Sequence, residues 1–174
     1  FYMMVEADGL DYNQLLEKMK HKYPRTDSFP GAGFAAGPCL MKDTMQLFAF
    51  RKQDFILGQV AMTINEGLPN YLVSQLAQKR RITGCRVGIL GMACKDEEDD
   101  LSDSVSYKLK KILEFQGAEV LCSDEFVRYE WFVSREEVLQ RSDVLIVGVP
   151  HAAYRGLETA PDQLVVDVWG VLNR

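Results

Sequence analysis

Arg86-Val-Gly-Ile-Leu-Gly-Met-Ala-Cys-Lys-Asp-Glu-Glu-Asp-Asp-Leu-Ser-Asp-Ser104 is the stretch that decides the fold class. Arg86 to Leu90 is a short apolar run that stops at Gly91, and it reads as a buried strand. Ser102 or Ser104 can cap a following helix to about Phe115, with Val105, Leu109, Ile112 and Leu113 on its inner face and Gly117 as its stop. Working outward, Glu119 to Cys122 reads as a second strand, Ser134 to Gln140 as a short helix, and Asp143 to Val149 as the most apolar strand. Pro150 to Tyr154 begins a turn, and Leu164 to Val168 is a fourth strand. Strands alternating with helices predict a parallel sheet wound as βαβ units, a Rossmann-like domain over residues 82–174. Gly88-Ile-Leu-Gly91 is a degraded nucleotide fingerprint, a weak signal that many α/β domains carry. Asp124, at the end of the second strand, sits where a ribose-binding acid would lie, and equally where a plain strand-end turn would. Asp96 to Asp100 are five acids in a row, a solvated surface loop that would repel a phosphate unless Lys95 turns inward.

Upstream, residues 1–81 read as a helical arm. Phe1 to Glu6 has the pattern of the end of a helix already under way, closed at Asp8-Gly9, so a piece of a longer protein is expected. Asp11 caps a second helix through Lys22, with Leu15, Leu16 and Met19 as its apolar face. Asp54 can cap a long helix from Phe55 to about Gln78, in which Ile56, Val60, Ile64, Leu68, Leu72 and Leu76 recur every four residues. That stripe suits packing against a partner helix, or against its own chain, and Pro69 is expected to kink it.

Between these helices lies Phe29-Pro-Gly-Ala-Gly-Phe-Ala-Ala-Gly-Pro-Cys-Leu-Met-Lys-Asp43. Three glycines and two prolines break both helix and strand, so the run is a loop that lets a ligand approach its backbone. The pattern then turns helical from about Cys39 to Arg51, which places the thiol at a helix start with Lys42 close by. Both neighbours favour the thiolate, and a Gly-rich loop that delivers a cysteine this way is a plausible nucleophile platform. A lone cysteine equally fits a small buried apolar side chain.

Composition bounds the possibilities. The 174 residues are 47% hydrophobic and 26% charged, the profile of a globular protein. A net charge of -5 without a basic stripe argues against nucleic-acid binding. No apolar run is long enough to span a membrane, and no signal-peptide pattern is present. Four cysteines without Cys-x-x-Cys spacing and only two histidines predict no metal site, and reduced thiols in a cytoplasmic protein.

The segment Gly31 to Asp43 resembles the catalytic-cysteine signature of the nucleotide-sugar 6-dehydrogenases, the family of UDP-glucose, UDP-N-acetylmannosamine and GDP-mannose dehydrogenases. The usual form is Gly-aromatic-Gly-Gly-Ser-Cys-x-x-Lys-Asp. This chain is one residue longer before Cys39, has Ala35 and Ala36 for the paired glycines, and keeps the spacing to Lys42 and Asp43. Asn65-Glu-Gly-Leu-Pro69 resembles the Asn-Glu-x-x-Pro of the family's central helix, which forms its dimer core. Gly91-Met-Ala-Cys-Lys95 through Ser104 resembles the Gly-x-Ala-Phe-Lys segment that opens the family's UDP-binding domain, and Pro150-His151 matches its strand-end histidine, for which a capping or core role is equally open. Cys94 replaces the family's phenylalanine, and Ser102 and Trp169 stand where it has arginines.

The resemblance implies an NAD-dependent oxidation of a sugar C6 alcohol to the acid. It makes Cys39 the nucleophile and Asp43 the carboxylate that activates the hydrolytic water. Lys42 would lie near NAD; Gly33, Phe34 and Ala35 would line the sugar; Lys95 would hold the nucleotide sugar; and Arg25 would reach a neighbouring subunit's nucleotide in a homodimer built on the long helix. The family's N-terminal dinucleotide domain is missing from the chain, which is therefore expected not to turn over alone. A different class stays open: a nucleotide-binding and dimerisation module without catalysis, supported by the lost arginines and the acidic loop. A flavodoxin-like or response-regulator domain explains neither the long helix nor the cysteine loop.

Overall fold

The structure is a computed structural model and describes residues 1–52 and 54–172. Its second half is a four-stranded parallel sheet in the order β2-β1-β3-β4, made of β1 (Arg86–Leu90), β2 (Glu119–Ser123), β3 (Val144–Val147) and β4 (Leu164–Val166). Alternation along the strands sends Val87, Ile89, Val144 and Ile146 to one face and Leu90, Leu121, Leu145 and Val147 to the other. β3 and β4 are shorter than the apolar runs that encode them, because the chain bends away at Gly148 and Asp167 to form the crevice described below.

Upstream come α1 (Tyr2–Ala7), α2 (Tyr12–Lys20), a 3-10 turn at Pro24–Thr26, α3 (Pro38–Phe50) and α4 (Ile56–Lys79). Asp11 caps α2 by accepting the Gln14 N–H at 3.0 Å. α2 stops at Lys20, and Tyr12 and Leu16 form its buried face while Met19 is exposed. The N-cap residue of α4 is Phe55, which makes no side-chain cap bond, so Asp54 does not cap the helix. The helix runs through Pro69, whose missing N–H leaves the carbonyl of Asn65 without its usual donor.

The two halves of α4 have different surroundings. Leu68, Leu72, Val73 and Leu76 join the core on one sheet face, together with Val105, Leu109 and Leu113 of α5 (Val105–Phe115). Ile56, Leu57, Val60 and Ile64 remain exposed. α6 (Arg135–Arg141) covers the other sheet face, with Ser134 as its N-cap. It packs so closely that a Cβ at Gly88 would sit 2.5 Å from Val138, so the glycine in β1 is a packing requirement. An ion pair from Glu66 on α4 to Lys108 on α5 adds a polar tie across the helices. Among the described residues no helix is long and apolar enough to cross a membrane.

Candidate functional site

In an open parallel sheet the loops that leave adjacent strands in opposite directions part above the carboxyl ends and leave a crevice. Here that point lies between β1 and β3, which are neighbours although β2 intervenes in sequence. A cavity of about 200 Å³ occupies it. Ala93 to Asp96 after β1, Gly148 to Pro150 after β3, the first turn of α5 and Trp169 after β4 make its walls, and Phe34 to Ala36 of the glycine loop close it. Two segments more than fifty residues apart, both singled out in the sequence, therefore meet at one pocket.

The glycine loop is held there by shape. Phe34 is buried in the main core and meets Trp169 edge to face, with ring centroids 6.4 Å apart. Gly33 has φ +152°, and a Cβ on it would lie 2.1 Å from the Trp169 ring, so no other residue fits. Trp169 is itself fixed, since its Nε1 donates to the Gly148 carbonyl at 3.1 Å. Gly37 precedes α3 and places Cys39 in the first turn of that helix.

Of the candidate site residues, Phe34, Ala35 and Lys95 line this cavity. Lys95 is at the rim, exposed, with its ammonium 3.5 Å from Glu98 of its own loop. Gly33 lines a second, more open cleft with Tyr2, Tyr12 and Ala61. Cys39 is the one exposed thiol of the four cysteines, and it stands outside the lining of the main cavity. Lys42 and Asp43 are exposed one turn on and pair with each other at 3.6 Å. Arg25 is exposed on the 3-10 turn and belongs to neither cavity.

Asp124 is not available to a ribose. Its side chain is sealed from solvent, and each of its oxygens accepts two backbone N–H groups: Met92 (2.6 Å) and Ala93 (2.9 Å) on one, Phe126 (2.8 Å) and Val127 (3.0 Å) on the other. Burial pushes its pKa up, but these bonds and His151 outweigh burial and hold it at about 2. His151, also sealed, presents Nε2 to Asp124 at 3.2 Å and accepts the Glu97 N–H on Nδ1 at 3.0 Å. Glu97 in turn accepts the Ala152 N–H at 3.0 Å. The strand-end histidine thus pins the acidic loop that carries Lys95. The Met92 and Ala93 amides, which a dinucleotide phosphate would need at this turn, are already taken.

Trp169 and the first turn of α5 emerge as pocket walls only in three dimensions. Ser104 is the N-cap of α5, yet its hydroxyl donates to the Ala93 carbonyl at 3.3 Å instead of capping the helix. Ser106, one helical position past Val105, lines the cavity as well. Its position two residues past the N-cap was the available signal in the sequence. Cys94 also lines the cavity, with its thiol pushed upward by burial and then by Asp100 and Glu98. Among the described residues no group of three potential metal ligands occurs.

Residues 88–174 match the family model described as the UDP-glucose/GDP-mannose dehydrogenase family, UDP binding domain. A UDP-N-acetyl-D-mannosamine dehydrogenase of Pyrococcus horikoshii is 28% identical over 90% of this chain and 38% of its own length. The UDP-glucose 6-dehydrogenase AglM of Haloferax volcanii is 27% identical over 95% of this chain and 43% of its own. Among solved structures, a UDP-glucose dehydrogenase from the hyperthermophilic archaeon Pyrobaculum islandicum superposes with a TM-score of 0.81 at 24% identity, covering 98% of this chain and 43% of that one. The P. horikoshii UDP-D-ManNAc dehydrogenase superposes with a TM-score of 0.84 at 22% identity, with the same coverages. The chain spans about two-fifths of the length of these relatives.

Proposed function

Because the chain belongs to the UDP-glucose/GDP-mannose dehydrogenase family, we propose that it is the C-terminal portion of a nucleotide-sugar 6-dehydrogenase that oxidises a UDP-sugar, of UDP-glucose or UDP-N-acetylmannosamine type, to the uronic acid. The observation that carries this reading is the cavity at the sheet's switch point, where the glycine loop that leads to Cys39 meets Lys95. Residues 82–174 would grip the nucleotide sugar, and residues 1–81 would present the thiol and the dimer contact.

In this reading the Cys39 sulfur adds to the C6 aldehyde carbon to give a thiohemiacetal, whose two-electron oxidation, with loss of a hydride and a proton, would leave a thioester that water opens to the acid and the free thiol. Asp43, exposed beside Lys42, would take the proton from that water. NAD is the hydride acceptor the family resemblance implies. The described residues after β1 do not fit a dinucleotide, since Asp124 occupies the Met92 and Ala93 amides. Lys42, exposed and, among the described residues, paired only with its neighbour Asp43, would face a cofactor held elsewhere. Arg25, exposed on its turn, would reach the nucleotide of a second subunit. The exposed Ile56, Leu57, Val60 and Ile64 on α4 support a homodimer through that helix. Four unpaired cysteines suit the reducing cytoplasm.

In the intact dehydrogenase, Cys39→Ser should abolish uronic acid formation and leave UDP binding in place. The 174-residue chain alone should bind UDP and reduce no NAD. The other reading, a nucleotide-binding and dimerisation module without catalysis, is favoured by Trp169 at the family's arginine position. Unchanged acid formation in Cys39→Ser would exclude the thiol mechanism, and absent activity in the unaltered intact protein would favour the module.

A further inference from the structure

We propose that Asn65 is the positioning residue of this site, holding the glycine loop so that the pocket wall and the cysteine helix stay in register. Its carboxamide closes a two-point clamp on one residue: Oδ1 accepts the Ala35 N–H at 2.9 Å, and Nδ2 donates to the Ala35 carbonyl at 2.7 Å. Among the described residues these are the only hydrogen bonds made by the backbone of residues 31–36; the Tyr12 hydroxyl donates to Pro30 just before them, at 3.1 Å. A loop rich in glycine has many conformations to lose; Gly33 and Phe34 are seated against Trp169, and the Asn65 clamp fixes the next peptide unit, on the side that leads to Cys39. Ala35 lies between Phe34, which walls the cavity, and Gly37, which starts α3 and Cys39.

Asn65 is well suited to this. It stands in the middle of a long helix, one position before Glu66, whose ion pair with Lys108 fixes the same turn of α4 to α5. Asparagine alone among side chains of this length offers a donor and an acceptor together; aspartate keeps only the acceptor. The claim rests on the proposed role of Cys39 for its meaning and not for its test.

Cys39 is exposed while Cys85, Cys94 and Cys122 are buried, so a thiol reagent such as Ellman's reagent reads the loop directly and the core separately. In Asn65→Ala, Cys39 should react at least about threefold faster while the other three thiols stay protected, because only the loop is released. Asn65→Asp, which retains the acceptor for the Ala35 N–H, should fall between the two. UDP affinity, measured by calorimetry on the same proteins, should drop about tenfold in Asn65→Ala, since Ala35 and Ala36, which line the cavity, shift with the loop. An unchanged or slower Cys39 rate overturns the proposal, and so does acceleration of all four thiols together, which marks a general loss of stability. If the unaltered chain fails to bind UDP, the nucleotide reading fails, and the thiol rates still decide the role of Asn65.

Discussion

Asp124 is a carboxylate enclosed by donors, and its ionised form is what the fold binds. Its pKa in the folded chain is about 2 against 3.8, so the stabilisation is fully present above pH 4 and is lost as the pH falls through 2. It is worth about 2 kcal/mol. Urea unfolding at pH 6 and pH 2.5 should show a larger acid loss in the unaltered protein than in Asp124→Asn, and equal losses would remove Asp124 from the account. Gly33 is the second decisive residue. Alanine there meets the Trp169 ring and an unfavourable φ, and should cost about 2 kcal/mol or more. Thermal melts should show a smaller penalty for Gly33→Ala in a Trp169→Ala background, because the steric part has gone and only the backbone part remains.

α4 shows why a periodic stripe does not name its partner. The same four-residue repeat is buried against the sheet and α5 from Leu68 onward and lies open from Ile56 to Ile64. Leu72→Ala should cost about 2–5 kcal/mol, as a core truncation. Ile64→Glu should change the stability of a monomer by no more than about 0.5 kcal/mol, yet dissociate a dimer built on this helix. Sedimentation of the two variants separates these effects; an Ile64→Glu protein that sediments as the unaltered one does would place any dimer contact elsewhere. Asn65 sits at the change between the two halves, just after the last exposed member of the stripe, Ile64, and before its first buried one, Leu68.

Across the whole molecule, one core runs from Phe34 through α4 and α5 to the sheet. The helical arm and the sheet therefore should not melt independently. Trp131 and Trp169 both belong to the second half, whereas much of the helical signal comes from the first, so fluorescence and far-UV circular dichroism should give coincident unfolding curves. Two resolved transitions would show that the contacts of Leu68, Leu72 and Leu76 with the sheet do not couple the halves.

The sequence by itself determined the local order of the chain. Strand runs, the N-cap at Asp11, and the break imposed by the glycines all depend on near neighbours, and they stand close to where the pattern puts them. The spacing of Cys39, Lys42 and Asp43, and of Lys95 with its acidic loop, was equally legible, because each is a short motif. Only the tertiary structure decided which groups are free. Asp124, readable as a ligand acid, is consumed by four amides from two loops; His151 turns out to anchor the acidic loop; Trp169 closes over Gly33 from a strand end more than a hundred residues away. Whether a polar group is satisfied, or a side chain covered, depends on residues distant in the chain, and no local pattern carries that information.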